Sequence, residues 1–261
     1  MQLITFDPLR TLHLAGVTYV KPELAFSRAG ELKQADWLLF PPYWLVNTLI
    51  YSLKSRIFPS AASYHLGHDK IEMTRALKTT FPSHIPETHI LPNSEFGRRQ
   101  ALDQLDFPFV AKHPRSSMGQ GVYLIENREQ FNSYCLSGQP LYLQEYLPID
   151  RDLRLVWVGD QVVAGYWRRG EGFHNNISKG AQAVLDDIPA AAIGLVQTVA
   201  RALAINYAGF DIALVNGHCY ILEFNVLFGN QVLNRYDIRI EPYILRYLES
   251  QLGLPPQGIA A

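Results

Sequence analysis

Asp211, Glu223 and Asn225 lie within one short stretch, GFDIALVNGHCYILEFN (209–225), and their types and spacing are the clearest chemical signal in the chain. Two carboxylates and an amide interrupt apolar runs, and such groups are expensive to bury without partners. The runs flank Asn216-Gly217, a turn signal, so the stretch is expected to form a β-hairpin. Phe210, Ile212 and Leu214 share one face of the first strand, and Tyr220, Leu222 and Phe224 make an apolar set on the second. Because side chains alternate strictly, both sets can share a face only across a loop with an odd number of residues. The expectation is a three-residue loop ending on a left-handed Gly217 with a bulge, not a two-residue Asn-Gly turn. Asp211, Glu223 and Asn225 then share the opposite face as a hard, oxygen-rich cluster suited to Mg²⁺. A solvated sheet face alternates in the same way, so the hairpin alone leaves both readings open.

A second group of residues could hold an anion. In FPFVAKHPRSSMGQGVYLI (107–125), Lys112 ends an apolar strand and a loop, 116–121, carries Ser117, Gly119 and Gly121. Glycines let backbone N–H groups approach an anion closely, and a lysine adds a point charge. No Gly-Lys-Ser/Thr opens a helix, so this is not a Walker loop, and a flexible hairpin loop would look alike. LYLQEYLPIDRDLR (141–154) offers a strand end at Gln144, Glu145 and Tyr146, followed by Asp152 and Arg154. Backbone groups there could meet an adenine edge and a carboxylate could hold a ribose; a plain edge strand reads the same. YWRRGEGFHNNISKGA (166–181) concentrates Arg168, Arg169, His174, Asn175, Asn176 and Lys179, either an anion site or a solvated basic loop.

These residues need scaffolding elements. The first ~65 residues mix short apolar runs with a helix expected near 43–54, a small α/β unit. A short helix from Gly67 stops at Pro82, and 83–92 reads as a Pro-punctuated connector. Strands are expected in FPFVAKHP, GVYLI and LYLQEYL with a helix in NREQFNSYCL, followed by a hairpin around Gly159-Asp160. Helices at about 188–205 and 239–252 flank the 209–225 hairpin.

At 261 residues, 48% hydrophobic and 18% charged, the chain is globular and long enough for a substantial core. A formal net charge of −1 argues against nucleic acid or an anionic membrane as a partner. Cys135 and Cys219 have no metal-ligand spacing, and packing is the expected role of Cys219. No signal-peptide pattern opens the chain, and the most apolar window is broken by Pro41-Pro42 and Asn47, so a soluble cytoplasmic protein is expected.

The order of the parts is more specific than any one of them: Lys70, Lys112 with its glycine loop, QEYL, Asp152-x-Arg154, FHNNISKG, and Asp211…Glu223-x-Asn225. It resembles the ATP-grasp superfamily, most closely the RimK-like carboxylate–amine ligases, over residues 67–230. The resemblance implies an α+β ATP-grasp fold at 67–261, with 105–147 as its lid, preceded by a short α/β domain at 1–66. It implies that Lys70 and Lys112 contact ATP phosphates, that Ser117, Gly119 and Gly121 belong to a closing loop, and that Glu145 and Leu147 face adenine. Asp152 would lie by the ribose. Asp211, Glu223 and Asn225 would hold Mg²⁺ or Mn²⁺, and Arg168, Lys179 and Asn176 would surround the transferred phosphate. The implied activity joins a small-molecule or peptide carboxylate to an amine through an acylphosphate, releasing ADP and phosphate. A phosphotransferase or a non-catalytic nucleotide-binding protein is the alternative. Ser116 and Ala181 stand where glycines are common in the family, and NVLFGNQ follows the metal motif in place of the commoner Asn-Ser/Ala-x-Gly.

Overall fold

A computed structural model describes residues 1–116, 121–170 and 182–253. Three sheets are built in sequence along the chain. Strands β1 (Leu3–Thr5), β2 (Val17–Tyr19), β3 (Trp37–Leu39) and β4 (Ile57–Phe58) form a parallel sheet in the order β2-β1-β3-β4. Its central strands are fully buried apolar runs, as parallel strands covered on both faces must be. The helix expected over 43–54 is a single turn, α2 (Tyr43–Asn47), continued by a π-helical turn over Thr48–Ser52; α1 (Ala29–Gln34) precedes it.

The helix expected from Gly67 is two helices. The first, α3 (Ala61–His68), starts at Ser60, whose side chain accepts the Ser63 N–H; the second, α4 (Lys70–Thr80), starts at Asp69. Asp69 is extended and its side chain accepts the Ile71 N–H at 2.8 Å, so it caps a new helix rather than continuing the old one. Lys70 thereby becomes the first residue of α4.

The second sheet has the antiparallel order β5-β8-β6-β7, with β5 (Thr88–Leu91), β6 (Phe109–Lys112), β7 (Val122–Ile125) and β8 (Leu141–Glu145). β5 occupies the segment read from sequence as a connector. Helices α5 (Glu95–Gln104) and α6 (Arg128–Cys135) supply Ala101, Phe131 and Tyr134 to a core shared with Phe109, Ala111, Leu141 and Leu143.

The third sheet runs β11-β10-β9-β12-β13: β9 (Asp152–Val158), β10 (Gln161–Arg169), β11 (Gln182–Val184), β12 (Tyr207–Val215) and β13 (His218–Asn225). β9 is buried along its whole length and its alternation divides two environments. Leu153, Leu155 and Trp157 join a core with Val196 and Val199 of α7 (Ala190–Ala202) and Met73 and Leu77 of α4. On the opposite face Val156 and Val158 join the core containing the first sheet and Ile244 and Leu248 of α9 (Glu241–Gln251), beyond α8 (Gln231–Arg235). Asp152 and Arg154 extend that second face into the polar end of the sheet.

The β12–β13 hairpin corrects the expected turn. Val215 pairs with His218, so the loop is the two-residue Asn216-Gly217, with both residues at positive φ (51° and 80°), the geometry of a type I′ turn. The odd residue sits inside β13: the register shifts between Asp211 and Ile212, leaving Leu222 as a bulge between Ile221, opposite Ile212, and Glu223, opposite Asp211. The apolar face of β13 is therefore Cys219, Ile221 and Phe224, all buried, and not Tyr220, Leu222 and Phe224. Asp211, Glu223 and Asn225 share the other face as expected.

Candidate functional site

The polar end of the third sheet is a row of polar and charged side chains aligned by register. Tyr166, Arg154, Asp211 and Glu223 are successive cross-strand neighbours on β10, β9, β12 and β13, and Arg168 is paired with Asp152 one step along. The Arg154 guanidinium takes both oxygens of Asp211, through Nε to Oδ1 and through Nη2 to Oδ2 at 3.0 Å. Arg168 Nη2 reaches Asp211 Oδ1 at 3.0 Å and its Nε donates to Asp152 Oδ1 at 2.6 Å. All four side chains are buried. Burial works to raise the Asp211 carboxyl, but the two guanidinium groups outweigh it and hold it below the ordinary range. Asp152 is pushed up to about 6, because burial outweighs its Arg168 partner. For Arg168 burial opposes the charge, but Asp211 and Asp152 more than compensate and raise its pKa. Gly209 makes the arrangement fit: a Cβ there would lie 2.7 Å from Arg154 Nη1 and 3.2 Å from Phe228 Cγ.

Arg168 and its neighbour are separated by strand alternation. Arg168 turns into this network, whereas Arg169 is exposed and pairs with Asp150 at the surface. Asn225 Nδ2 donates to Glu223 Oε1 at 3.1 Å, which ties the last two members of the triad together. Glu223 Oε2 lies 3.7 Å from Lys70 Nζ, which also donates to the Ser116 carbonyl at 2.6 Å.

Lys112 stands at the end of β6, buried, with its Nζ donating to Gln144 Oε1 at 2.7 Å. Gln144 Nε2 donates in turn to Thr88 Oγ1 at 2.9 Å. The Lys112 Nζ is 5.8 Å from the centre of the Tyr142 ring, and the Tyr142 and Thr74 hydroxyls share a 2.7 Å hydrogen bond. Burial lowers the Lys112 pKa to about 8, with the charge of Glu223 opposing that fall and the charge of Lys70 adding to it. The two lysines and the hairpin triad thus belong to one electrostatic unit at the meeting of α4 and the second and third sheets.

Glu145 is latched to Glu87: its N–H donates to the Glu87 carbonyl at 2.8 Å and its Oε1 accepts the Glu87 N–H at 2.7 Å. The Leu147 carbonyl accepts the Ile149 N–H at 2.9 Å. Gly121 has φ +69° and its carbonyl accepts the His113 N–H at 2.7 Å, closing the loop base. Ser117, Gly119, Asn176 and Lys179 lie outside the described residues. Gln144, Thr88, Tyr142 and Arg154 carry contacts that the sequence did not assign. For Tyr142 and Gln144 the signal was present, since alternation puts both on one face of β8. Cys219 is buried, as packing requires, and burial raises its thiol pKa.

The donor chemistry of Glu223 and Asn225 fits a hard divalent cation, whereas in this structure both oxygens of Asp211 are taken by Arg154 and Arg168. Among the described residues no three His, Cys, Asp or Glu side chains gather as a metal-binding group. No described helix is long and apolar enough to cross a membrane.

The RimK-like ATP-grasp domain model matches residues 69–248, and the α+β architecture of three sheets is the ATP-grasp fold of its structural neighbours. The chain belongs to the RimK-like ATP-grasp family. It is 26% identical over 170 residues, 62% of this chain and 57% of the relative, to a probable alpha-L-glutamate ligase of Histophilus somni (strain 2336). It is 31% identical over 151 residues, 54% of this chain and 50% of the relative, to the ribosomal protein bS6–L-glutamate ligase of Escherichia coli O139:H28. The chain thus spans about half the length of the curated relatives it matches. Among solved structures, a RimK domain ATP-grasp protein from Sphaerobacter thermophilus superimposes with a TM-score of 0.70 at 16% identity, covering 95% of this chain and 99% of that one.

Proposed function

We propose that the protein is an ATP-dependent carboxylate–amine ligase that forms an amide or peptide bond and releases ADP and phosphate. The observation that carries the reading is the single cluster of Lys70, Lys112, Glu223, Asn225 and Asp211 between the second and third sheets. Relatives that are named as glutamate ligases support the same class.

In this reading a substrate carboxylate oxygen attacks the γ-phosphorus of ATP; the bond to the β,γ-bridging oxygen breaks and ADP leaves. An amine then attacks the acylphosphate carbonyl, phosphate departs and the amine loses a proton. The chain contributes position and charge, with no covalent nucleophile of its own. Lys112 and Lys70 hold phosphate oxygens, the segment from Glu145 to Leu147 flanks the adenine, and Asp152 lies toward the ribose. Arg168 holds Asp211 and Asp152 beside the place where the acylphosphate would form, and Ser117, Gly119, Gly121, Asn176 and Lys179 are assigned to the phosphate surround. Mg²⁺ or Mn²⁺ would be held by Asp211, Glu223 and Asn225 and would supply neutralisation of phosphate charge. Small carboxylates, amino acids and peptides are the proposed substrate class.

The test is an ADP-release screen over pairs of amino acids and peptides, with Lys112→Ala as the inactive control. Release of ADP that requires both an acid and an amine is expected. AMP as the product, or ADP release indifferent to the amine, would overturn the ligase reading.

A further inference from the structure

The two lysines of the cluster each donate to a neutral carbonyl, Lys70 to that of Ser116 at 2.6 Å, and differ in their charged neighbours. Lys70 has a carboxylate beside it, Glu223 Oε2 at 3.7 Å. Lys112 makes no ion pair among the described residues; its side-chain partner is the neutral carbonyl of Gln144 at 2.7 Å. Lys112, Tyr142, Gln144 and Thr88 share one face of the second sheet, where Thr88 is opposite Gln144 and Gln144 is opposite Val110, two residues before Lys112.

The direction of the Gln144 amide follows from a chain of donors. Thr88 Oγ1 donates to the Pro86 carbonyl at 2.7 Å, and a hydroxyl has only one hydrogen to give. Toward Gln144, 2.9 Å away, Thr88 can therefore only accept, so Gln144 turns its NH₂ to Thr88 and its oxygen to Lys112. Thr88, Gln144 and Lys112 are each less than one-tenth exposed, so water does not compete for these bonds.

We infer that Gln144 is a positioning residue for anion binding, fixing the Lys112 ammonium with a neutral carbonyl so that its aim is set while its positive charge stays available to a phosphate. The inference rests on the nucleotide reading above. A carboxylate at 144 would hold the ammonium as firmly but would neutralise it, and an apolar side chain would leave a buried donor unmet. Thr88 acts one step further back by fixing which end of the amide faces the lysine.

Binding of ADP and of adenosine, measured by calorimetry, separates phosphate recognition from base recognition. Q144E is expected to weaken ADP tenfold or more while adenosine stays within twofold. T88V should weaken ADP by a smaller factor and T88S should restore it. In a K112M background, Q144E should cost less than twofold, since its effect runs through the lysine. ADP binding by Q144E within twofold of the parent, an equal loss of adenosine, or an undiminished effect in K112M would overturn the role. Should Q144E fail to fold, the T88V and T88S pair decides by the same ADP-to-adenosine comparison. If the unsubstituted protein binds neither ligand, the nucleotide reading has failed and this role falls with it. If it binds both and the variants change nothing, only the role of Gln144 is lost.

Discussion

Arg154 and Asp211 face each other across β9 and β12, and the guanidinium occupies both oxygens of the carboxylate. With Arg168 and Asp152 they make a neutral set of two cations and two anions, buried at the polar end of an otherwise apolar sheet face. Charges taken out of water this far are tolerated because each is met.

Removing one member should therefore cost more than the pair contributes. R154M leaves a net negative charge buried, and unfolding in denaturant should show a loss of about 3 kcal/mol. R169M removes the exposed pair with Asp150 and should leave the midpoint unchanged.

A methyl group at position 209 should act on the same contact from the other side. A Cβ at Gly209 would lie 2.7 Å from Arg154 Nη1 and 3.1 Å from its Cδ, so G209A displaces the guanidinium from Asp211. In a double-mutant cycle, G209A and R154M should be clearly non-additive, because both break one interaction. Full additivity would show that Gly209 serves something else.

The turn of the β12–β13 hairpin gives a conformational prediction free of packing. Gly217 has φ +80° and an added Cβ meets nothing within 4 Å. G217A should cost about 1 kcal/mol from backbone strain alone, read by thermal unfolding. N216G should be nearly neutral, because Asn216 already occupies the left-handed region at φ 51°.

Alternation made the shared face of Asp211, Glu223 and Asn225 legible, because a period of two fixes the side of a strand once its apolar residues are known. It did not locate the extra residue. An odd loop and an even loop followed by a bulge place Phe210 and Phe224 together equally well, and only the pairing of Val215 with His218 distinguishes them. The ion pairs were illegible for a different reason: Arg154 and Asp211 are 57 residues apart, and nothing local says that β9 and β12 are neighbours. β5 was not legible because a four-residue strand set between Pro86 and Pro92 carries too little pattern to separate it from a connector. The break at Asp69 was hidden because a capping aspartate and a helical one look alike until the backbone is seen.

The proposed cation site can be read without turnover. E223A/N225A removes two of the three oxygen donors, and Mn²⁺ binding followed by electron paramagnetic resonance should weaken at least tenfold. D211N should weaken it by less, because Arg154 and Arg168 already occupy both Asp211 oxygens. Mn²⁺ affinity unaffected in E223A/N225A would remove the triad from the proposal.

Lys112 sets an expected pH dependence. Burial depresses its pKa from 10.5 to about 8, so the free protein carries an ammonium there below pH 8 and loses it above. A phosphate selects the ammonium form, hence the Lys112 contribution to ADP affinity should be flat below about pH 8 and fall above it by up to tenfold per unit. Stability moves the other way. Between pH 8 and 10.5 the unfolded chain binds this proton more fully than the folded one, so the contribution of Lys112 to stability rises with pH. Unfolding measured over the same pH range distinguishes a local loss of charge at Lys112, with the fold intact, from alkaline unfolding. Titration of ADP binding from pH 6.5 to 9.5 should show the fall in the parent and not in K112M. A parallel fall in K112M would assign the pH dependence to another group.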